Sequence, residues 1–221
     1  KRIFISLAAY CDEMLEFTLK SAYNSAKNKE NIFFGVVDQN YENQRELIKT
    51  LNFSEQIRYC HTFPDDTLGV SWARHLVFSL YDNEEYFLQV DSHTYFEENW
   101  DENLINQYEV LLKKSQKPII STYPYGFSLD EYGEVIYKKP SGKSVLVLRP
   151  KEECTLSKDS FVLQFRAKHI TSNEAITGCH IAPGFLFTKG SFIEEIPYDP
   201  YLYFHGEEQS LSLRAFTKGW D

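Results

Sequence analysis

The alternation of apolar runs with helical repeats across the first 90 residues constrains this chain more than any other feature. Ile3–Ala9 is a continuous apolar run, the pattern of a strand buried on both faces. A helical repeat follows over 13–27, with Leu15, Leu19, Ala22 and Ala26 on one stripe. Ile32–Val37 reads as a second buried strand, and 41–51 as a helix through Leu47, Ile48 and Leu51. Ile57–Cys60 is a short strand, 70–81 a helix, and Tyr86–Val90 another buried strand. The order βαβαβαβ predicts an α/β fold with a mostly parallel, doubly wound sheet and helices on both of its faces.

The second half changes character. A helix over 101–114 precedes a strand at Pro118–Thr122, and residues 123–171 are aromatic, polar and rich in turns. Tyr132-Gly133-Glu134 and Lys139-Pro140-Ser141-Gly142-Lys143 both have hairpin-turn chemistry, so this insertion is expected to form a small antiparallel region across one end of the sheet. Gly178–Gly184 leads into a strand at Phe185–Phe187, and a last helix starts near Glu207. With no repeat, low-complexity tract or linker, 1–221 is expected to be one domain built of two halves, 1–100 and 101–221. The chain opens directly on a strand and stops at Gly219-Trp220-Asp221, as if cut from something longer at both ends.

A chain of 221 residues buries roughly 70% of its unfolded surface and needs no staples. Its net charge of −9 repels polyphosphate, so a nucleic-acid partner is not expected. No stretch approaches the roughly 18–20 apolar residues of a membrane span, and no signal peptide precedes the first strand. Cys11, Cys60, Cys154 and Cys179 form no C-x-x-C pair and read as reduced thiols, which points to the cytoplasm.

Ligands of open parallel sheets bind beyond the carboxyl ends of the strands. Those ends are Ala8-Ala9-Tyr10, Asp38 and Asp91-Ser92-His93. In an extended chain residues i and i+2 point the same way, so Asp91 and His93 can share one cation. A carboxylate with an imidazole suits Mn²⁺, or Mg²⁺, with open positions for a substrate diphosphate. The plainer alternative makes Asp91 a turn cap and His93 a surface histidine.

The helix over 70–81 is expected to bury Trp72, Ala73, Leu76, Val77 and Leu80, leaving Arg74 and His75 at the edges of its opposite face. Arg74 then either sits in solvent or reaches a phosphate or Asp91. Glu207 and Glu208 open the last helix, where the dipole favours acids; they are candidates for holding sugar hydroxyls or an acceptor. His180 and His205 are candidate further metal ligands. Asp38 is either a turn residue or an acceptor for a uracil N–H or ribose hydroxyl, and Tyr10 either packs or stacks on a base. There is no P-loop, G-x-G-x-x-G or G-x-S-x-G.

A strand-final D-x-H preceded by a helix bearing Arg74 resembles the nucleotide-sugar half of GT-A glycosyltransferases. Downstream, Pro183–Phe187, Tyr198-Asp199-Pro200 and Phe204-His205-Gly206-Glu207-Glu208 resemble, in order, the acceptor-side motifs of polypeptide GalNAc-transferases. The closer resemblance, over Ile3–Glu13, Val70–Trp100 and Pro183–Asp221, is to the GlcNAc-transferase family that includes the cytoplasmic Skp1 hydroxyproline enzyme.

The resemblance implies a GT-A fold with 1–100 as the nucleotide-sugar half and 101–221 as the acceptor half. It implies transfer of a sugar, GlcNAc foremost, from a UDP-sugar to a protein or glycan hydroxyl, with retention and with Mn²⁺ or Mg²⁺. Asp91 and His93 would hold the metal, and Arg74 would steady the diphosphate or Asp91. Asp38, Ser92 and the Ala8–Tyr10 edge would receive the nucleotide sugar, and Glu207 or Glu208 the sugar or acceptor. The family's third metal ligand, a histidine beyond the last helix, has no counterpart before Asp221, leaving His180, His205 or a residue past the chain end. Two rivals stand beside this reading. A nucleotidyltransferase would show a Gly-rich basic loop, which Ile3–Asp12 does not. A non-enzymatic carbohydrate-binding protein would use the aromatic 123–171 region.

Overall fold

A computed structural model describes residues 1–137, 144–154 and 156–221. The expected turn at Lys139–Lys143 lies outside the described residues. The chain begins β1 (Ile3–Tyr10), α1 (Leu15–Ser25), β2 (Ile32–Gln39), α2 (Arg45–Lys49), β3 (Ile57–Thr62), α3 (Val70–Phe78), β4 (Tyr86–Val90) and α4 (Trp100–Leu111). It continues β5 (Ile120–Ser121), β6 (Ser128–Leu129), β7 (Val135–Ile136), β8 (Ser144–Pro150), β9 (Phe165–Thr171), β10 (Phe185–Lys189), α5 (Phe192–Glu195) and α6 (Glu207–Thr217).

The central sheet has the order β3-β2-β1-β4-β10-β5. β1 runs parallel to β2 and β4, β2 runs parallel to β3, and β10 pairs antiparallel with both β4 and β5. Period-two alternation sends neighbouring residues to opposite layers. Ile3, Ile5 and Leu7 of β1 pack with Leu15, Leu19 and Ala22 of α1 and with Trp100, Ile105 and Tyr108 of α4. Phe4 and Phe87 face the other way, onto Ala73, Val77 and Phe78 of α3, Phe192 of α5 and Leu211 and Ala215 of α6. The insertion forms two separate ribbons, β6–β7 and β8–β9. Among the described residues, no helix is long and apolar enough to cross a membrane.

The helix expected over 41–51 is only five residues long. Asn43 Oδ1 accepts from the Arg45 N–H at 3.0 Å, and the Tyr59 hydroxyl takes the Gln44 N–H at 3.0 Å. Those bonds satisfy the backbone in a turn, which competes with the helix. Within the layer that α1 and α4 share, the two helices are also tied by a polar pin. Asp101, buried in the first turn of α4, accepts from the backbone N–H of Lys27 at 2.8 Å and of Asn28 at 3.0 Å. Burial raises the Asp101 carboxyl, but these bonds outweigh it and hold the group below the usual carboxylate range. Asp101→Ala leaves two backbone donors beyond α1 without their acceptor. It is expected to cost about 1–3 kcal/mol, read as a lowered urea midpoint at unchanged slope.

Candidate functional site

The strand order reverses between β1 and β4, because β2 and β3 lie on one side of β1 and β10 lies beyond β4. A crevice at the carboxyl ends of β1 and β4 is the expected result. A cavity of about 350 Å³ opens there. Its wall is Ala8, Tyr10 and Asp12 at the end of β1, Gln39 of β2, and Thr67, Gly69, Val70 and Arg74 leading into α3. Asp91, Ser92 and His93 beyond β4, with Tyr203 and Phe204 before α6, complete it.

Arg74 is buried at 6% exposure, not at a solvent edge. Helical periodicity provides for one covered face of α3, whereas α6 covers a second. Its guanidinium donates to Asp91 Oδ1 at 3.0 Å through Nη2 and to Glu207 Oε1 through Nη1. Burial works against the Arg74 cation, but Glu207, then Tyr198 and Asp91, hold it charged well above its ordinary value. Glu207 is itself buried, in the first turn of α6 where the helix dipole favours a carboxylate. Behind it the buried Tyr198 hydroxyl donates to Glu207 and accepts from Gln89 Nε2 at 2.7 Å. Burial first, and then the Glu207 charge, pushes that phenol far up. A polar chain Gln89–Tyr198–Glu207–Arg74–Asp91 therefore runs from the middle of β4 to the cleft. Asp91 is its open end, with a side chain 44% exposed.

Two glycines let backbone approach this chain. Gly69 caps α3 at φ +104°, and a Cβ there would lie 2.2 Å from the Tyr203 carbonyl oxygen, which accepts the Val70 N–H at 3.0 Å. Gly184 lies against Asp91, whose Oδ2 would be 2.7 Å from a Cβ at 184. Gly184→Ala is expected to displace the Asp91 carboxylate while sparing the core. Ligand affinity of the cleft falls about tenfold or more with Tm within a few degrees, read by titration and melting.

A second cluster faces Asp91. Cys11, left-handed at φ 46°, turns the chain out of β1 and sets Asp12 over the cleft. Asp12 Oδ2 accepts from the Ser92 hydroxyl and meets His93 Nδ1 at 2.8 Å, while Oδ1 accepts the Met14 N–H at 2.9 Å. Burial raises the Asp12 carboxyl, yet its bonds to His93, Ser92 and Met14 prevail and hold it at about 2. The bond to Asp12 raises the His93 imidazole, against partial burial. With its proton on Nδ1 toward Asp12, neutral His93 presents the Nε2 lone pair, the arrangement in which metal-binding histidines are oriented by a carboxylate. Among the described residues no group of three or more His, Cys, Asp or Glu is arranged to hold a metal.

The other candidates are placed as follows. Ala8, Tyr10 and Ser92 line the cleft. Asp38 is fully buried and takes the Tyr59 hydroxyl at 2.7 Å; its neighbour Gln39 lines the cleft instead. Burial raises the Asp38 carboxyl, partly offset by Tyr59. Glu207 meets Arg74, whereas the carboxyl of half-buried Glu208 is raised by burial and then by Glu207. Neither His180, packed on Phe165, nor the exposed His205, against Phe204, lines the cavity.

The sequence matches the family model "Glycosyltransferase (GlcNAc)" over residues 2–50 and 41–221. The chain belongs to this GlcNAc glycosyltransferase family. No curated protein matches it significantly. Among solved structures, the 1–349 segment of S. aureus TarS in complex with UDP-GlcNAc has a TM-score of 0.59 at 12% identity, over 98% of this chain and 53% of that one. The same segment in complex with UDP gives 0.60 at 15% identity, over 98% and 55%. GalNAc-T7 with UDP, GalNAc and Mn²⁺ gives 0.59 at 12%, over 96% and 40%. The fold is GT-A, and the chain spans about half the length of the TarS segment.

Proposed function

We propose that the protein moves a sugar, GlcNAc foremost, from a UDP-sugar to a protein or glycan hydroxyl, with retention of configuration and with Mn²⁺ or Mg²⁺. The reading includes kinship with the Skp1 hydroxyproline branch of the family. The observation that supports it best is the site at the β1/β4 crevice, where Arg74 joins Asp91 to Glu207 and Asp12 orients His93. Three carboxylates, Asp12, Asp91 and Glu207, oppose the single guanidinium of Arg74 there. A diphosphate entering that field needs a cation. Asp91 and His93 Nε2 have the donor chemistry to hold one, which supplies charge neutralisation for the departing UDP.

Arg74 fixes Asp91 and offsets the charge of Glu207. Glu207 in turn is engaged by both Arg74 and Tyr198, so it is a poor free nucleophile. That favours attack from the face of the leaving group, with the β-phosphate taking the acceptor proton. Tyr10, 58% exposed at the cleft edge, would stack on the uracil.

Calorimetric titration of UDP tests the reading. With Mn²⁺ present, micromolar binding is expected, weakened at least tenfold by EDTA, and UDP-GlcNAc should release UDP. Equal binding in EDTA removes the metal from the proposal, and absence of binding in Mn²⁺ removes the donor site.

A further inference from the structure

Residues 138–171 hold eight lysines and arginines against three acids, in a chain whose net charge is −9. This stretch is thus basic within an acidic chain. Within it, the β8–β9 register sets Arg149 directly opposite Arg166 and Val147 opposite Lys168. Alternation places these side chains on one face, and all three cations are exposed. Like charges directly opposite on a ribbon cost stability, which an anionic partner offsets. Arg166 has a local acid, Glu152, at 2.6 Å. Arg149 and Lys168 make no such pair among the described residues.

The ribbon and the loop joining its strands contact two elements near the cleft. Its open end meets Tyr125, whose hydroxyl lies 3.0 Å from Ser144 Oγ and 3.2 Å from His169 Nδ1. Tyr125, with Tyr95, Phe127 and His93, lines a second cavity of about 110 Å³ beside the main one. Toward the other side, the Leu163 N–H donates to Gln209 Oε1 at 2.6 Å, on the helix that Glu207 begins. Among the described residues, β9 pairs only with β8, so its far edge offers unpaired backbone groups.

We infer that the β8–β9 ribbon is the docking surface for an acidic polypeptide segment that carries the acceptor hydroxyl and enters past Tyr125. This rests on the transferase reading and deepens it. The cationic face selects negative charge. The open edge of β9 selects a polypeptide, because only a peptide backbone can extend the ladder.

The test uses fluorescein-labelled twelve-residue peptides in anisotropy titrations: alternating Glu-Ser, alternating Gln-Ser and alternating Lys-Ser, with inorganic polyphosphate as competitor. The wild type is expected to bind Glu-Ser about tenfold more tightly than Gln-Ser, less so as salt is raised, and to reject Lys-Ser. Arg149→Glu/Lys168→Glu should erase the preference while UDP binding stays unchanged. Equal binding of Glu-Ser and Gln-Ser by the wild type overturns the inference without needing the variant to fold. Polyphosphate displacing Glu-Ser at equal charge concentration overturns the choice of a polypeptide. Loss of UDP binding by the wild type instead sinks the transferase reading, which keeps the two failures distinct.

Discussion

Arg74→Ala is expected to abolish sugar transfer and to destabilise the protein together. The guanidinium is the single cation between Asp91 and Glu207, and Glu207 is 6% exposed. Removing it strands a buried carboxylate, a loss of about 3–5 kcal/mol. In a chain of this size that lowers Tm by about 10 °C or more. UDP release from UDP-GlcNAc should fall by at least about a hundredfold, since Asp91 loses the partner that fixes it. Arg74→Lys separates the two effects. One ammonium restores a charge but lacks the planar fork that serves both carboxylates. Lysine is therefore expected to recover much of the Tm and little of the rate. Full turnover in either variant would remove Arg74 from the machinery. An Ala variant with wild-type Tm would show that burial of Glu207 does not depend on Arg74.

The sheet was legible because its signal is redundant. Strands buried on both faces must be apolar nearly throughout, so Ile3–Ala9 and Tyr86–Val90 have no other good reading. The antiparallel β10 was harder to orient, since Phe185–Phe187 reads the same in either direction, and its pairing with β4 and β5 is fixed only by tertiary context. Arg74 shows the limit of periodicity. A helical wheel knows one buried face, and α3 has two because α6 folds back from more than a hundred residues away. Nothing local to Val70–Phe78 encodes that.

The site was legible where function sits on strand ends. Asp91, Ser92, His93, Ala8 and Tyr10 follow from topology alone and do meet in one cleft. Asp12 was hidden by a sufficient local explanation. An acid just before a helix needs no second role, and Asp12 does accept the Met14 N–H as such residues do. Its bond to His93 spans 81 residues of sequence. The left-handed Cys11 beside it leaves no mark in the sequence, because only glycine announces that conformation. Tyr198 and Gln89 were likewise invisible as a pair: one is a tyrosine in a turn, the other a polar residue in an apolar strand. A glutamine within the apolar run Tyr86–Val90 was the available clue, since a buried amide must find partners.

The second large effect is expected at Asp91 and Asp12, and their difference distinguishes holding a metal from orienting its ligand. Asp91→Ala removes a donor outright, so Mn²⁺-dependent UDP binding should vanish from a calorimetric titration. Asp12→Asn keeps the shape but removes the charge that holds the His93 proton on Nδ1, and it turns one of the two accepting oxygens into a donor. Loss of such an orienting carboxylate costs about 10–100-fold in metal affinity, so UDP binding should weaken by that factor and return at high Mn²⁺. The acid limb gives an independent reading. Asp12 is held at about 2, below the ordinary carboxylate range, so its contribution to stability is fully present above that range. It is lost as pH falls through the folded value. The stability difference between wild type and Asp12→Asn should therefore shrink between about pH 4 and about pH 2. A difference independent of pH across that window would mean that Asp12 acts by shape alone. Equal Mn²⁺ titrations for the two variants would make Asp12 a ligand in its own right.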